Sequence, residues 1–404
     1  MTQLFYAFTS LQLINMYNLK YMLYSNIESD LYIATGHRIS PELIQSVYDA
    51  GIFRKIYVDN HLLTEKKLQN QTKDIVYSSN SSIINTFPEA IITIGRIIYN
   101  IFSNIHLKDI INSNNKQSKY NHIFIGTFGG STPIIVKTIL KINPSLKISI
   151  VEEGTVNYQR SLNELAQEYT LVGMKDAYYW LSKVFGVNRY FCLNMVKLVN
   201  TIYLYSPDSY NFRDCRSICK LPPINADNPT YSLLTSENTK LVISEYHNRE
   251  FCYLLQDSSP CLNILLETIL ETIKPSNIIF REHPWHPVLK EIDDSIDLRE
   301  AYIDTSAQIV SFESIINQLS TNQFVLITTD SSASLTPKYM FNKEPYIIYL
   351  YKLTNNRSKK DIENRDELIC SLNRMYINKD RILIPQTIQE LEICLQYILK
   401  RMGS

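Results

Sequence analysis

The chain has 404 residues, 45% of them apolar and 20% charged, which excludes a disordered or fibrous protein and predicts two globular domains. Lys+Arg and Asp+Glu balance at 40 each, so no bulk field favours nucleic acid as a partner. The balance is uneven along the chain, because residues 1–150 carry 14 Lys/Arg against 9 Asp/Glu. A basic front half is first of all a solvated surface, and second a surface suited to an anionic ligand.

The front half alternates short β-branched or aromatic runs with helical patterns. LFYAF (4–8) reads as a strand and SLQLINMYNLKYMLY as a helix. DLYIAT (30–35), a helix through PELIQSVYDAG, and KIYVDN (55–60) follow. HIFIGT (122–127) then leads into the helix STPIIVKTILKI, and KISIVEEG (147–154) into a less regular region. This spacing predicts a parallel sheet covered on both faces.

Residues 206–239 are rich in Pro, Ser, Asn and Asp and read as a linker between domains at 1–205 and 240–402. Alternation resumes with KLVISEY (240–246) as a strand, CLNILLETILETIKP as a helix and NIIFREHP (277–284) as a strand. FESIINQLS, FVLITTD (324–330), SASLTPKYMF, EPYIIYLY and a closing helix QELEICLQYILKRM complete it. The predicted fold class is α/β, with two Rossmann-like domains and a cleft between them, since ligands bind at the carboxyl ends of parallel strands. No GxGxxG or phosphate-loop pattern occurs among the ten glycines.

Other classes of site are poorly supported. The seven cysteines are odd in number and scattered, which predicts free thiols; the lone C-x3-C at Cys215 and Cys219 predicts no zinc site. MTQLFYAFTS lacks a basic n-region and a small-residue cleavage site, so a cytoplasmic location is expected. The most apolar tracts, 90–111 and 177–205, are interrupted by Arg96, Lys108, Lys183, Arg189 and Lys197 and predict no membrane span. The first is amphipathic with aromatics, which leaves peripheral contact with the inner membrane open beside a core helix.

Three predicted strands end in polar clusters: VEEG (151–154), FREHPWHP (280–287) and TTDSSAS (328–334). Singly, each has a structural explanation as a helix cap or a turn. Together they hold the groups that transfer from a phosphate-activated donor requires. One of two adjacent carboxylates can accept a proton, a histidine can serve a departing phosphate, and serine hydroxyls can receive its oxygens. Arg281 would add positive charge, and the absence of a metal-binding acid pair in the rear half points to a monophosphate leaving group.

These elements, in this order, resemble the acid-acid-Gly, His-Pro and Ser-Ser motifs of two-domain GT-B bacterial sialyltransferases. The pattern is most similar to the lipooligosaccharide sialyltransferases of glycosyltransferase family 52; bacterial polysialyltransferases share the first two motifs. FYAFTSLQLINM (5–16), NPSLKISIVEEGTVNYQ (143–159) and FVLITTDSSASLTPKYMF (324–341) carry the resemblance, with 160–240 largely unmatched. It implies inverting, metal-independent transfer of sialic acid from CMP-sialic acid to a terminal galactose of an oligosaccharide acceptor, with no cofactor. Extension of capsular polysialic acid is the alternative it leaves, and a non-catalytic glycan- or nucleotide-binding protein is a third. A homodimer stays open.

The first domain would then hold the acceptor and the second the CMP donor. Glu153 would be the general base, with Glu152 shaping its environment or exchanging roles with it. His283 would be the general acid or phosphate partner, preferred to His286 because it lies nearer the strand end. Ser331 and Ser332 would hold the phosphate, with Gly154, Asn157, Arg281 and Pro284 completing the substrate contacts. Arg281-Glu282 departs from the Pro or Lys-Pro that often precedes His-Pro in these enzymes.

Overall fold

The computed structural model describes residues 2–34, 39–59, 120–128, 132–172, 189–212, 217–235, 237–256, 261–283, 288–354 and 358–403. The chain divides into two compact units. The first comprises Met1–Glu153, Arg160–Pro207 and Phe212–Leu221; the second comprises Gly154–Gln159, Asp208–Asn211 and Pro222–Ser404.

In the first unit the elements run β1 (Thr2–Ala7), α1 (Ser10–Tyr24), β2 (Ser29–Ala34), α2 (Pro41–Asp49), β3 (Lys55–Asp59), β4 (Tyr120–Ile125), α3 (Thr132–Ile142) and β5 (Lys147–Val151). After an excursion into the second unit through α4 (Val156–Gln159), the chain returns for α5 (Leu162–Val172), α6 (Arg189–Leu198), β6 (Val199–Leu204) and β7 (Ser217–Lys220). The sheet order is β3-β2-β1-β4-β5-β6-β7, and every pairing is parallel. Strands β1 and β2 are buried along nearly their whole length, as a sheet covered on both faces requires. Phe5 and Phe124 stack across β1 and β4 with ring centroids 4.3 Å apart.

The second unit contains α7 (Thr230–Leu233), α8 (Glu237–His247), β8 (Phe251–Leu254), α9 (Leu262–Thr272), β9 (Ile278–Arg281), β10 (Tyr302–Asp304) and α10 (Phe312–Gln318). It continues with β11 (Val325–Thr328), α11 (Thr336–Phe341), β12 (Tyr346–Tyr349), α12 (Lys359–Met375), β13 (Ile382–Leu383) and α13 (Ile388–Met402). Its order, β10-β9-β8-β11-β12-β13, is again all parallel. Phe251, Leu266, Ile269, Phe280, Ile327, Ile348, Leu391 and Leu395 form its core.

Both sheets share one plan: two strands are added outward from the first, and the chain then crosses back to build the other side. This is the doubly wound Rossmann order, and the fold class expected from the sequence, two parallel α/β units as in the GT-B class, is the one adopted. Such sheets bind ligands where the strand order reverses, between β1 and β4 in the first and between β8 and β11 in the second.

Two expectations differ. The 206–239 linker contains β7 at the edge of the first sheet, and α7. KLVISEY is not a strand but part of α8, with Thr239, Val242 and Tyr246 buried at helical spacing. Periodicity outweighs the β-branched residues there, and β8 begins only at Phe251. Among the described residues no helix is long and apolar enough to cross a membrane. Tract 90–111 lies outside the described residues; of 177–205, residues 189–204 form α6 and β6.

Candidate active site

The serine pair follows β11, whose four residues are all buried, and therefore stands at the strand-order reversal of the second sheet. The loop is shaped by its own hydroxyls. Thr328 Oγ1 accepts the Asp330 and Ser331 N–H groups at 3.2 and 2.9 Å, folding the chain back at the strand end. Ser331 Oγ caps the following 3-10 turn by accepting the Ala333 N–H at 3.3 Å. Ser334 Oγ donates to the Ser331 carbonyl at 2.6 Å and meets Tyr349 Oη at 2.9 Å. Ser331 is thus buried and engaged in the turn, while Ser332 is half-exposed. Behind them Glu313, at the start of α10, meets the Thr336 hydroxyl at 3.5 Å. Burial raises its carboxyl above the ordinary range, and hydrogen bonds from Ser311 and Thr336 offset this only in part.

The paired acids follow β5, and their environments differ. Glu152 is 5% exposed, and its Oε2 accepts the Tyr205 N–H at 2.7 Å, tying the end of β5 to the residue after β6. Its carbonyl accepts Asn15 Nδ2 at 2.9 Å, and Tyr205 Oη donates to Asn15 Oδ1 at 2.8 Å. Asn18, one turn further along α1, donates to the same tyrosine oxygen at 3.3 Å. Glu152 is therefore built into a buried network of the first unit. Glu153 is half-buried.

At Gly154 the chain enters the second unit with φ = +126°, a region that favours glycine. A Cβ there would lie 2.8 Å from Ser332 Cβ and 3.1 Å from its Oγ, so the absence of a side chain is what lets the Ser332 side chain approach the chain at Gly154. Two of the expected site residues, 178 positions apart, are in contact through this glycine. Glu153, one peptide bond earlier, has its Cα about 3.8 Å from that of Gly154. Asn157 is buried on α4, its N–H donating to the Gly154 carbonyl at 3.2 Å, and the Tyr158 ring meets Tyr339 edge-on at 5.5 Å.

His283 stands two residues beyond β9 and is half-buried; Pro284 and His286 lie outside the described residues. Arg281 is placed otherwise than expected. It is 4% exposed and ion-paired with Asp304, its neighbour across the β9–β10 register, and it also donates to the Val310 carbonyl. Burial opposes charge on Asp304, yet the Arg281 guanidinium with the Ser306 and Tyr246 hydrogen bonds outweighs it and lowers the carboxyl's pKa. Arg281 is a structural cation committed to its own sheet.

A cation the motifs did not reveal does reach the serine loop. Arg365 on α12 is ion-paired with Asp330, the residue before Ser331. It occupies the buried stripe of that helix with Leu368, Ile369 and Leu372. An arginine in phase with an apolar stripe is the sequence signal that marks it.

No family model matches the chain, and no curated protein matches it. Solved structures resemble it in fold. Phytolacca americana UGT2, complexed with UDP-2fluoro-glucose and pterostilbene, is 9% identical, with 99% of this chain and 94% of that one covered and a TM-score of 0.47. HepE of Anabaena in complex with UDP is 8% identical over 99% and 90%, with a TM-score of 0.45. The wall teichoic acid polymerase TagF is 10% identical over 100% and 89%, with a TM-score of 0.39. At these values the likenesses carry nothing about activity.

Proposed function

We propose that the chain is a glycosyltransferase, and specifically an inverting sialyltransferase that moves sialic acid from CMP-sialic acid to a terminal galactose of a bacterial lipooligosaccharide. The observation that supports this most is the packing of Gly154, the residue after the paired acids, against Ser332 at the strand-order reversal of the second sheet. In this reading the carboxylate one residue before Gly154 serves as proton acceptor and the Ser332 hydroxyl as phosphate ligand, the two groups that displacement of a phosphate by a sugar hydroxyl requires.

In this reading Glu153 takes the proton of the galactose hydroxyl as its oxygen bonds to the anomeric carbon of sialic acid. The bond from that carbon to the CMP phosphate breaks with inversion. His283 gives a proton or hydrogen bond to the departing phosphate, whose oxygens are received by the Ser332 hydroxyl. Glu152 keeps the strand end in place, its Oε2 accepting the Tyr205 N–H. The monophosphate leaving group needs no divalent metal.

Incubation with CMP-sialic acid and a panel of galactose-terminated lactosides and oligosialic acids, read by mass spectrometry, tests this directly. Addition of one sialic acid to lactosides, undiminished by EDTA, is expected. Growth of long chains on oligosialic acid alone would move the assignment to polymerisation, and a strict metal requirement would contradict the mechanism.

A further inference from the structure

The segment that follows the acids and the loop bearing the serines are distant in sequence, yet one helix contacts both. Helix α12 is capped by Ser358, whose Oγ accepts the Asp361 N–H at 3.2 Å, and its buried face carries Arg365. On one side the Arg365 guanidinium pairs with Asp330. On the other its Nη2 donates to Gln159 Oε1 at 3.4 Å, and Asn364 Nδ2 donates to the Gln159 carbonyl at 3.1 Å. Gln159 is the last residue of α4, the short helix that follows Gly154. The Tyr351 ring lies 5.7 Å beneath the guanidinium.

We propose that Asp330 and Arg365 are positioning residues that lock the serine loop to the Gly154–Gln159 segment, whose first residue is bonded to Glu153. The proposal rests on the sialyltransferase reading above. An ion pair serving stability alone has no reason to join these two segments. Here the same guanidinium touches the residue preceding Ser331 and the end of the helix that starts two residues after Gly154. Its planar fork reaches the two partners from separate nitrogens in a fixed geometry, whereas an ammonium donates from a single centre. Loss of the lock leaves the serines able to hold a phosphate but lets Glu153 drift, and a displacement near 1 Å is enough to lose about a hundredfold in rate.

The experiment measures kcat for transfer and, by calorimetry, the affinity for CMP in wild type, Arg365→Met, Arg365→Lys and Asp330→Asn, with circular dichroism to establish folding. In Arg365→Met, kcat should fall about a hundredfold while CMP affinity changes less than about threefold. Arg365→Lys, which keeps charge towards Asp330 but not the reach to Gln159, should fall between the two. If Arg365→Met does not fold, Gln159→Ala, which leaves the ion pair intact, should show the same split between kcat and CMP affinity. Wild-type kcat in the folded variants overturns the proposal, and so does a parallel loss of CMP affinity, which would make Arg365 part of the donor site. A wild-type protein that turns over no CMP-sialic acid sinks the sialyltransferase reading and this inference together; active wild type with indifferent variants sinks the inference alone.

Discussion

Glu152 and Glu153 share a peptide bond and little else. A buried carboxylate persists because its oxygens are hydrogen-bonded, and Glu152 Oε2 has the Tyr205 N–H. Glu152→Ala strands that buried donor, so unfolding by denaturant should show a loss of about 1–3 kcal/mol; Glu152→Gln, which retains an acceptor, should lose much less. Equal losses in the two variants would show that the hydrogen bond is not what Glu152 supplies. His122 offers a test through pH. Burial pushes its imidazole down to about 4, with the Lys147 charge adding to this, and it meets Ser149 Oγ at 2.8 Å, Phe124 at 4.1 Å between ring centroids and Tyr24 edge-on. Its folded pKa lies below the unfolded value near 6.5, so its contribution is complete above about pH 6.5 and is lost as pH falls towards 4. The quantity at stake is roughly 3 kcal/mol. Denaturation of His122→Gln across this window should show a shallower decline than wild type, and parallel curves would contradict the assignment.

At the scale of elements, two lysines end helices in the same manner. Lys20 Nζ donates to the carbonyls of Tyr24, Ser25 and Ile27 at 2.8, 3.1 and 2.8 Å, closing α1. Lys343 Nζ does the same for Ile316, Asn317 and Leu319 at 3.0, 2.6 and 2.8 Å, closing α10 although it belongs to a distant segment. Neither helix ends in glycine, so these ammonium groups satisfy carbonyls that would otherwise lack donors. Lys343→Met should cost about 1–3 kcal/mol in denaturant unfolding, and an unchanged midpoint would mean that other donors replace it. Legibility in the sequence followed the same physics. Helix α1 and the buried strands β1, β5 and β11 announce themselves through periodicity and apolar runs, and the polar ends of β5 and β11 contain Gly154 and Ser332, which the fold brings into contact. Arg281 was misleading because its partner Asp304 is fixed by the strand register, which no local pattern contains. α8 was obscured by Val242 and Ile243, whose β propensity conceals a buried face at 239, 242 and 246.

At the scale of the whole chain, the repeated strand order says where chemistry belongs. Each sheet reverses order beside its first strand, and in the second unit that point is occupied by the Thr328–Ser334 loop. The exchange of Gly154–Gln159 between units was invisible in the sequence, since a six-residue excursion has no composition of its own. The account's central claim is that Glu153 accepts the proton and Ser332 receives the phosphate. It is tested most directly by Glu153→Ala, assayed for transfer from CMP-sialic acid to a lactoside by mass spectrometry and for CMP binding by calorimetry. Loss of transfer by at least about a hundredfold with CMP affinity retained is the predicted result. Turnover at the wild-type rate in that variant would contradict it.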